Sequence, residues 1–352
     1  MKPVTFALIG AGGIAQSYAS AFGNHPDAKL AAVVDVRPEA AATLAASFHC
    51  ASFASPETLF ASGPPVEAAI LCTPPDTHEA ITLDLVGHGV HVLCEKPFTF
   101  TAGSARAMAR AADAAGVLLT MGSKFRYVED VIRAKALIAS GIVGEVVLFE
   151  NAFTARVDMT TRWNSDPAIS GGGVLIDNGT HSVDIMRYFL GPLAEVHAVE
   201  GKSVQRLAVE DTVRLFAKSR SGIMGSVDLS WSINKELDWY VNVYGSLGTI
   251  QIGWRQSRYK LSSGQEWVIF GAGYDKVQAF RDQVTNFARA IRGAETLRIT
   301  WEDAVASVEV MEAAYLSLRG SAWTGIESPT VNLANTPLAL PTLDAFWDTR
   351  YG

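Results

Sequence analysis

Short apolar runs and helical patterns alternate along the first third of the chain. Runs rich in β-branched and other aliphatic residues predict strands, and the segments between them repeat apolar residues with a helical period of 3.6. The predicted strands are residues 4–9, 30–34, 67–71, 90–94 and 117–121, and the clearest helices are 77–86 and 101–115. Strands separated by helices imply right-handed crossovers. The pattern therefore predicts an α/β domain with a doubly wound parallel sheet over residues 1–122.

After residue 122 the pattern changes to strands joined by short turns. A helix is predicted over 131–139 and a strand over 146–153, with further strands at 196–204, 212–217, 222–233, 239–244 and 248–253. Short turns join antiparallel neighbours, so residues 123–352 are predicted to form a second α/β domain with a large, mostly antiparallel open sheet. Helical patterns at 276–291 and 301–318 are expected to cover one face of it. The segment from Pro329 onward has no clear period and is expected to wrap around as an extended tail.

Helices on one face would leave the other face of this sheet in need of cover. Apolar strand residues such as Val241 and Val243 must point to one side or the other. We therefore expect a homodimer or homotetramer that assembles through the second sheet.

Composition narrows the choice of partners. The chain has 352 residues, 49% hydrophobic and 18% charged, which is typical of a globular protein. A net charge of −7 argues against nucleic acid and anionic membranes, so a small molecule is the expected ligand. No apolar run approaches the ~20 residues that span a bilayer, and the N-terminus lacks a signal-peptide pattern, so a cytoplasmic protein is expected. The three cysteines, Cys50, Cys72 and Cys94, lack metal-type spacing.

A glycine-rich turn follows the first predicted strand without a gap, and it fits the dinucleotide-binding pattern. Its sequence is Gly10-Ala11-Gly12-Gly13-Ile14-Ala15. The glycines permit a tight turn and a close approach to a pyrophosphate, and the following helix N-terminus offers N–H groups to that anion. The second strand ends at Asp35, whose carboxylate can bind the adenosine ribose and repel a 2′-phosphate. Arg37 could fold over the adenine or pair with a 2′-phosphate, so NAD is favoured and NADP is the alternative.

Two further segments begin where predicted parallel strands end. They are Cys72-Thr73-Pro74-Pro75-Asp76-Thr77-His78 and Glu95-Lys96-Pro97. Ligands of doubly wound sheets bind beyond these carboxyl ends. His78 either faces a ligand or is an ordinary residue in the first turn of a helix. Lys96 either is partly buried beside a ligand or, like most lysines at strand ends, is solvated.

A second glycine-rich stretch, residues 171–173, leads directly into a helical pattern. Asp177, His181 and Asp184 stand at i, i+4 and i+7, which places them on one face of that helix. A histidine beside a carboxylate can carry a proton near neutral pH. The alternative is an ordinary amphipathic helix with a solvated polar face. A metal site is not favoured, because no further histidine or cysteine pair lies near with ligand spacing.

Together these motifs resemble the glucose–fructose oxidoreductase and inositol dehydrogenase superfamily of nicotinamide-dependent enzymes. The resemblance spans nearly the whole chain in order. It rests on residues 10–15, Thr73-Pro74-Pro75 with His78, Glu95-Lys96-Pro97, Trp163 ahead of Asp166-Pro167, residues 171–184, Glu210-Asp211-Thr212 and residues 245–249. It implies a Rossmann domain followed by an α/β domain with a broad open sheet. It also implies reversible hydride transfer between NAD or NADP and a secondary alcohol or ketone of a sugar, cyclitol or nucleotide sugar.

The resemblance also implies roles for single residues. Lys96 would hydrogen-bond the reacting oxygen, His181 would exchange the hydroxyl proton, and Asp177 would orient the substrate and tune the pair. The cofactor would lie against Gly10, Gly12, Gly13, Ile14, Asp35, Arg37, Thr73, Pro74, His78, Glu95 and Lys96. The substrate would contact Arg126, Tyr127, Arg162, Trp163 and Tyr274, for which domain packing is the alternative role.

Two other functions stay open at this stage. One is a catalytically silent sensor that binds a dinucleotide. Lys96, Asp177 and His181 count against it, because a sensor does not need these residues. The other is a lyase or hydrolase that recycles tightly bound NAD, because one fold supports several chemistries.

Overall fold

Two sheets dominate the computed structural model, which describes residues 2–326. The first sheet has six parallel strands: β1 (Val4–Ile9), β2 (Ala28–Val34), β3 (Ala51–Phe53), β4 (Ala68–Leu71), β5 (His91–Glu95) and β6 (Leu119–Gly122). Their order is β3-β2-β1-β4-β5-β6. The strand order reverses between β1 and β4, which opens a crevice beyond the carboxyl ends of these two strands. The doubly wound parallel sheet predicted from the sequence is confirmed.

Helices connect the strands of this first sheet. They are α1 (Gly13–Ala21), α2 (Pro38–Ser47), α3 (Pro56–Ser62), α4 (His78–Gly87) and α5 (Ala102–Ala115). Strands β1 and β4 read as continuous apolar runs because helices cover both faces of a parallel sheet. Strand β3 and helices α2 and α3 escaped prediction. Three residues in β3 and seven in α3 are too few to establish a period.

The second sheet has nine strands in the order β14-β13-β12-β11-β7-β10-β9-β8-β15. They are β7 (Val146–Thr154), β8 (Leu193–Glu200), β9 (Thr212–Ser219), β10 (Met224–Ser230), β11 (Trp239–Gly245), β12 (Gly248–Gly253), β13 (Ser257–Leu261), β14 (Val268–Gly271) and β15 (Thr324–Gly325). Only β7 and β10 pair in parallel, so the mostly antiparallel sheet is confirmed. Strands β13, β14 and β15 were not predicted.

Five α-helices lie between residue 123 and residue 326, where the described part of the chain ends. They are α6 (Glu129–Ala139), α7 (Pro167–Ser170), α8 (Val174–Leu190), α9 (Lys276–Ile291) and α10 (Trp301–Gly320). Helices α6, α8 and α10 pack on the second sheet, and α10 also contacts α5 of the first domain. The expectation that α9 covers the second sheet is wrong, because α9 packs on α1 instead. Its apolar residues Phe280, Val284 and Phe287, spaced i, i+4 and i+7, join the core of the first domain.

Burial alternates along the strands of the second sheet, as expected for a sheet with helices on one face. Val241 and Val243 are fully buried on the helical side, so they do not belong to the uncovered face. The outer face instead carries Leu148, Met224 and Tyr244 side by side on adjacent strands.

The tail expected from Pro329 lies outside the described residues. Between residues 2 and 326, no helix is long and apolar enough to cross a membrane.

Candidate active site

A cavity of about 880 Å³ lies beyond the carboxyl ends of the parallel strands, and both halves of the chain line it. Its wall includes the glycine turn at one end, the loops after β4 and β5 in the middle, and helix α8 at the other end. The expected cofactor and catalytic residues in this wall are Gly10, Gly12, Gly13, Ile14, Asp35, Arg37, Thr73, Pro74, Glu95, Lys96, Asp177 and His181. The fold thus brings residues that lie far apart in sequence into one continuous space.

The glycine turn has the geometry that a dinucleotide requires. Gly10 has φ +98°, and a Cβ atom there would lie only 2.8 Å from the carbonyl oxygen of Cys72, so this position needs glycine. A Cβ atom on Gly12 or Gly13 would meet no atom within 4 Å, so the space in front of α1 is open. No side chain caps the N-terminus of α1, and its N–H groups can therefore face a pyrophosphate.

Asp35 ends β2 at the cofactor end of the cavity. Its Oδ2 accepts a hydrogen bond from the N–H of Ala11 at 2.7 Å, and its Oδ1 accepts one from Nε of Arg37 at 3.1 Å. Burial raises the pKa of the Asp35 carboxyl, but these hydrogen bonds outweigh burial and hold the pKa below its usual value. The Asp35 carboxylate thus stabilises the glycine turn through the N–H of Ala11 and also pairs with Arg37.

Lys96 lies inside the cavity wall and is paired, so the solvated alternative does not apply. Its Nζ donates to Oδ1 of Asp177 at 2.5 Å and to the main-chain carbonyl of Asp177 at 3.1 Å. Its own N–H donates to Oε2 of Glu95, and Oε1 of Glu95 accepts the hydroxyl of Tyr18 at 2.7 Å. Burial raises the pKa of the Glu95 carboxyl, and the charge of Lys96 opposes that rise. Side chain and backbone of Lys96 are therefore both held in place.

His181 is the buried imidazole of the site. Its ring stands edge-on to Phe125 at 5.1 Å and to Phe153 at 6.4 Å between centroids. Burial lowers the pKa of His181 well below its usual value, and the charges of Lys124 and Lys96 lower it further. Its buried Nδ1 has no hydrogen-bond partner in the described part of the chain. Burial and the neighbouring cations thus favour the neutral imidazole, the form that can accept a proton.

A carboxylate from another part of the chain holds the N-terminus of α8, the helix that carries Asp177 and His181. Oε1 of Glu210 accepts three hydrogen bonds: from the N–H of Gly173 at 2.9 Å, from the N–H of Leu175 at 3.1 Å and from the hydroxyl of Tyr315 at 2.8 Å. A Cβ atom on Gly173 would overlap the carbonyl oxygen of Glu210, which explains the glycine. Sequence reasoning quoted Glu210 as part of a motif but missed this role.

Arg126 and Asp184 form a buried ion pair away from the cavity. Nη2 of Arg126 lies 2.7 Å from Oδ1 of Asp184, whose Oδ2 also accepts a hydrogen bond from the hydroxyl of Ser123 at 2.5 Å. The neighbouring Tyr127 is buried and donates its hydroxyl to Asn286 at 3.2 Å. The expectation that Arg126 and Tyr127 face the substrate is therefore not met. The 3₁₀ turn Lys124–Tyr127 directs its first two side chains to the cavity and its last two into the core.

His78 likewise does not line the cavity. It is fully buried, with Nδ1 3.0 Å from the carbonyl oxygen of Pro97 and Nε2 3.0 Å from that of Thr73. These contacts tie together the loops after β4 and β5. His78 therefore shapes the cofactor end of the cavity without facing it.

The three remaining residues expected to contact the substrate differ in where they lie relative to the cavity. Trp163 lines the cavity, whereas Arg162 is exposed outside it. Tyr274 stacks on Phe125 at 5.2 Å and packs edge-on to Trp254 at 5.7 Å, so it supports the wall from behind. Sequence reasoning missed several other lining residues, namely Lys124, Phe125, Phe153, Thr154, Asn164, Asn178 and Trp254. Their signal was weak, since they are scattered over a strand end, two 3₁₀ turns, a helix and a loop, and no single motif joins them.

No group of three or more His, Cys, Asp or Glu side chains among residues 2–326 is arranged to hold a metal ion. The two acids of α8 form ion pairs with basic side chains instead: Asp177 pairs with Lys96, and Asp184 pairs with Arg126.

Known proteins match both halves of the chain. Residues 4–123 match a family model described as an oxidoreductase family with an NAD-binding Rossmann fold, and residues 131–251 match the GFO/IDH/MocA C-terminal domain. Inositol 2-dehydrogenase of Rhizobium meliloti is 25% identical, over 90% of this chain and 97% of that protein. D-glucoside 3-dehydrogenase of Escherichia coli is 30% identical, over 62% of each chain. The crystal structure of GenD2 from gentamicin A biosynthesis in complex with NAD has a TM-score of 0.82 at 27% identity, covering 93% of this chain and 97% of that one.

Proposed function

This chain belongs to the GFO/IDH/MocA family of oxidoreductases, and from that premise we propose that it is an NAD-dependent dehydrogenase of sugars or cyclitols. The reaction is reversible hydride transfer between the nicotinamide and a secondary alcohol. Relatives named as dehydrogenases of inositol and of D-glucosides support the substrate class. They do not favour a non-redox enzyme or a silent sensor.

The convergence of Lys96, Asp177 and His181 on one cavity carries this proposal. A secondary alcohol can release hydride only as its oxygen loses a proton. The neutral His181 can accept that proton, and the ammonium of Lys96, fixed by Asp177, can hydrogen-bond the oxygen as negative charge develops on it. NAD supplies the hydride acceptor.

We assign the cofactor to the end of the cavity formed by Gly10, Gly12 and Gly13, with Asp35 at the adenosine ribose. The open space over the two later glycines and the ionised carboxylate support this assignment. Arg37 pairs with Asp35 here. The carboxylate of Asp35 therefore still repels a 2′-phosphate, but the positive charge of Arg37 weakens that repulsion. NAD is therefore the preferred cofactor and NADP the weaker one.

We assign the substrate to the end of the cavity near α8. Trp163 remains a candidate there, joined by Asn164, Asn178 and Trp254 as polar and aromatic partners for a polyol. Indole faces suit the C–H faces of sugar rings, and amides can serve hydroxyl groups as donor and acceptor.

The decisive experiment is a screen of sugars, inositols and nucleotide sugars that follows absorbance of the reduced cofactor, repeated with His181→Ala. We expect the active substrate to give net turnover of free NAD. The variant should bind NAD normally but lose ~10²–10⁴-fold in rate, the usual range for a general acid–base residue. If the variant keeps its rate per folded molecule, His181 is a core residue and the proposal is wrong.

We further propose that the protein is a dimer or tetramer formed through the outer face of the second sheet. Val241 and Val243 are buried and do not support this interface. Leu148, Met224 and Tyr244 support it, because they lie side by side on adjacent strands and Met224 is exposed. The division at residue 122, where β6 ends, is retained as a proposal. The cytoplasmic location stays a prediction.

A further inference from the structure

Lys124 is a cavity residue to which the proposed function gives no role. It follows β6 directly and opens the 3₁₀ turn that leads into the second half of the chain. Its Nζ lies 5.4 Å from the ring centre of Phe125 and 5.6 Å from that of Phe280. In the described part of the chain, no side chain or carbonyl accepts a hydrogen bond from it, and no carboxylate oxygen lies within 4.0 Å. Lys124 therefore presents an unpaired ammonium in a largely apolar wall.

Phe125 connects this ammonium to His181. The same ring lies 5.4 Å from Nζ of Lys124 and 5.1 Å from the centre of the imidazole. Together these distances place the ammonium no more than about 10.5 Å from the imidazole. Lys124, Phe125 and His181 all line the cavity, and the ring of Phe125 is a neighbour that the ammonium and the imidazole share.

The other charged groups around the site have different surroundings from Lys124. Asp177 compensates Lys96 at 2.5 Å. Glu95 accepts hydrogen bonds from Tyr18 and from the N–H of Lys96, and its carboxylate also attracts the ammonium of Lys124 without a direct ion pair. Asp184 is bonded to Arg126. Lys276 of α9 is exposed, with its ammonium 5.9 Å from the Phe280 ring. Lys124 is thus a cation close to His181 that has no hydrogen-bond acceptor and no carboxylate oxygen within 4.0 Å in the described part of the chain.

We propose that Lys124 is a positioning residue of the reaction, whose unpaired ammonium keeps His181 in the neutral form that can accept the substrate's hydroxyl proton. The proposal rests on the proposed role of His181. The hydroxyl proton passes to the imidazole, while the hydride and its electron pair pass to the oxidised nicotinamide.

The titration behaviour of both groups agrees with this geometry. After burial, Lys124 is the largest cause of the lowered pKa of His181, ahead of Lys96. Burial, with help from Lys96 and Lys276, lowers the pKa of Lys124 itself to about 8, against the opposing pull of Glu95 and Asp177. The charge is therefore present below about pH 8, throughout the range in which His181 would titrate.

The test is the pH titration of the His181 imidazole by NMR in the full-length protein without substrate. The signal is assigned by its loss in His181→Asn. Lys124→Met and Lys124→Gln remove the charge, and Lys124→Arg retains it. Lys276→Met is the matched control, because it removes an exposed lysine that also lies near the Phe280 ring. We expect the two neutral variants to raise the titration midpoint by at least about one pH unit, the effect of a unit charge at the greatest possible distance of roughly 10 Å with an effective dielectric constant near 20. The arginine variant and the control should follow the wild type.

The pH profile of kcat/KM for alcohol oxidation provides the second readout. The acidic limb should move upward with the NMR midpoint in the neutral variants. Curves of both neutral variants that superimpose on the wild type down to the lowest pH at which the protein stays folded would overturn the role of Lys124. The proposed function would survive that result if His181→Asn is inactive. A fully active His181→Asn would overturn the proposed function, and the role of Lys124 with it.

Discussion

The carboxylate of Glu210 offers a sharp test of how this fold positions its chemistry. Replacing Glu210 with Ala leaves three donors without an acceptor, namely the N–H groups of Gly173 and Leu175 and the hydroxyl of Tyr315. Gly173 is the residue before α8 and Leu175 lies in its first turn, and the N-cap glycine has no side chain that could cap the helix. The N-terminus of a helix also favours a negative charge.

The expected loss of stability follows from these contacts. A hydrogen bond to a charged acceptor contributes about 1.5–3 kcal/mol, and the desolvation of the buried carboxylate offsets part of the total. We expect Glu210→Ala to lower the free energy of unfolding by about 3–5 kcal/mol, the range typical when one partner of a buried charged network is removed. Asp177 lies one turn further along α8, so kcat should also fall. NAD affinity should not change, because Glu210 lies outside the glycine turn.

Urea unfolding followed by tryptophan fluorescence measures the effect on stability, and steady-state kinetics with NAD titration separate the two functional effects. Glu200→Ala is the matched control, since Glu200 is exposed at the end of β8 and should change stability by less than 0.5 kcal/mol. A Glu210→Ala protein that is as stable as this control would refute the reasoning. It would mean that water or the main chain replaces the carboxylate at the helix end.

Three further outcomes are expected. Arg126→Met should lower the free energy of unfolding by about 3–5 kcal/mol because it leaves Asp184 buried without its partner, while the substrate KM of the folded fraction stays unchanged; a raised KM would restore Arg126 to the substrate site. Asp35→Ser should weaken NAD binding and narrow the preference over NADP, measured by quenching of tryptophan fluorescence, and equal affinities of the wild type for both cofactors would refute the role of Asp35. Light scattering at micromolar concentration should report a dimer or tetramer, and Met224→Glu on the outer face should weaken it; a wild-type monomer would contradict the proposed interface.

Local sequence patterns were enough to predict the parallel sheet and the glycine turn. The turn is recognisable because its chemistry is local: Gly10 must adopt a positive φ, and open backbone must face the pyrophosphate within a few residues of a strand end. Helix α8 was recognisable for the same reason, since a spacing of four residues places Asp177 and His181 on one face. Periodicity reports such short-range geometry well, but it failed for β3, which has only three residues.

Tertiary structure decided which polar residues work at the cavity and which support the fold. Sequence spacing placed Asp184 beside His181, but only the packed molecule shows that Arg126 reaches Asp184 from the turn after β6 and removes both from the site. Likewise, the apolar stripe of α9 predicts a buried face without saying against which sheet, and contact with α1 rather than with the second sheet settles that question. The bond between Lys96 and Asp177 and the approach of Lys124 to His181 each join residues more than 50 positions apart. Such contacts depend on how the two sheets pack together, which no local pattern encodes.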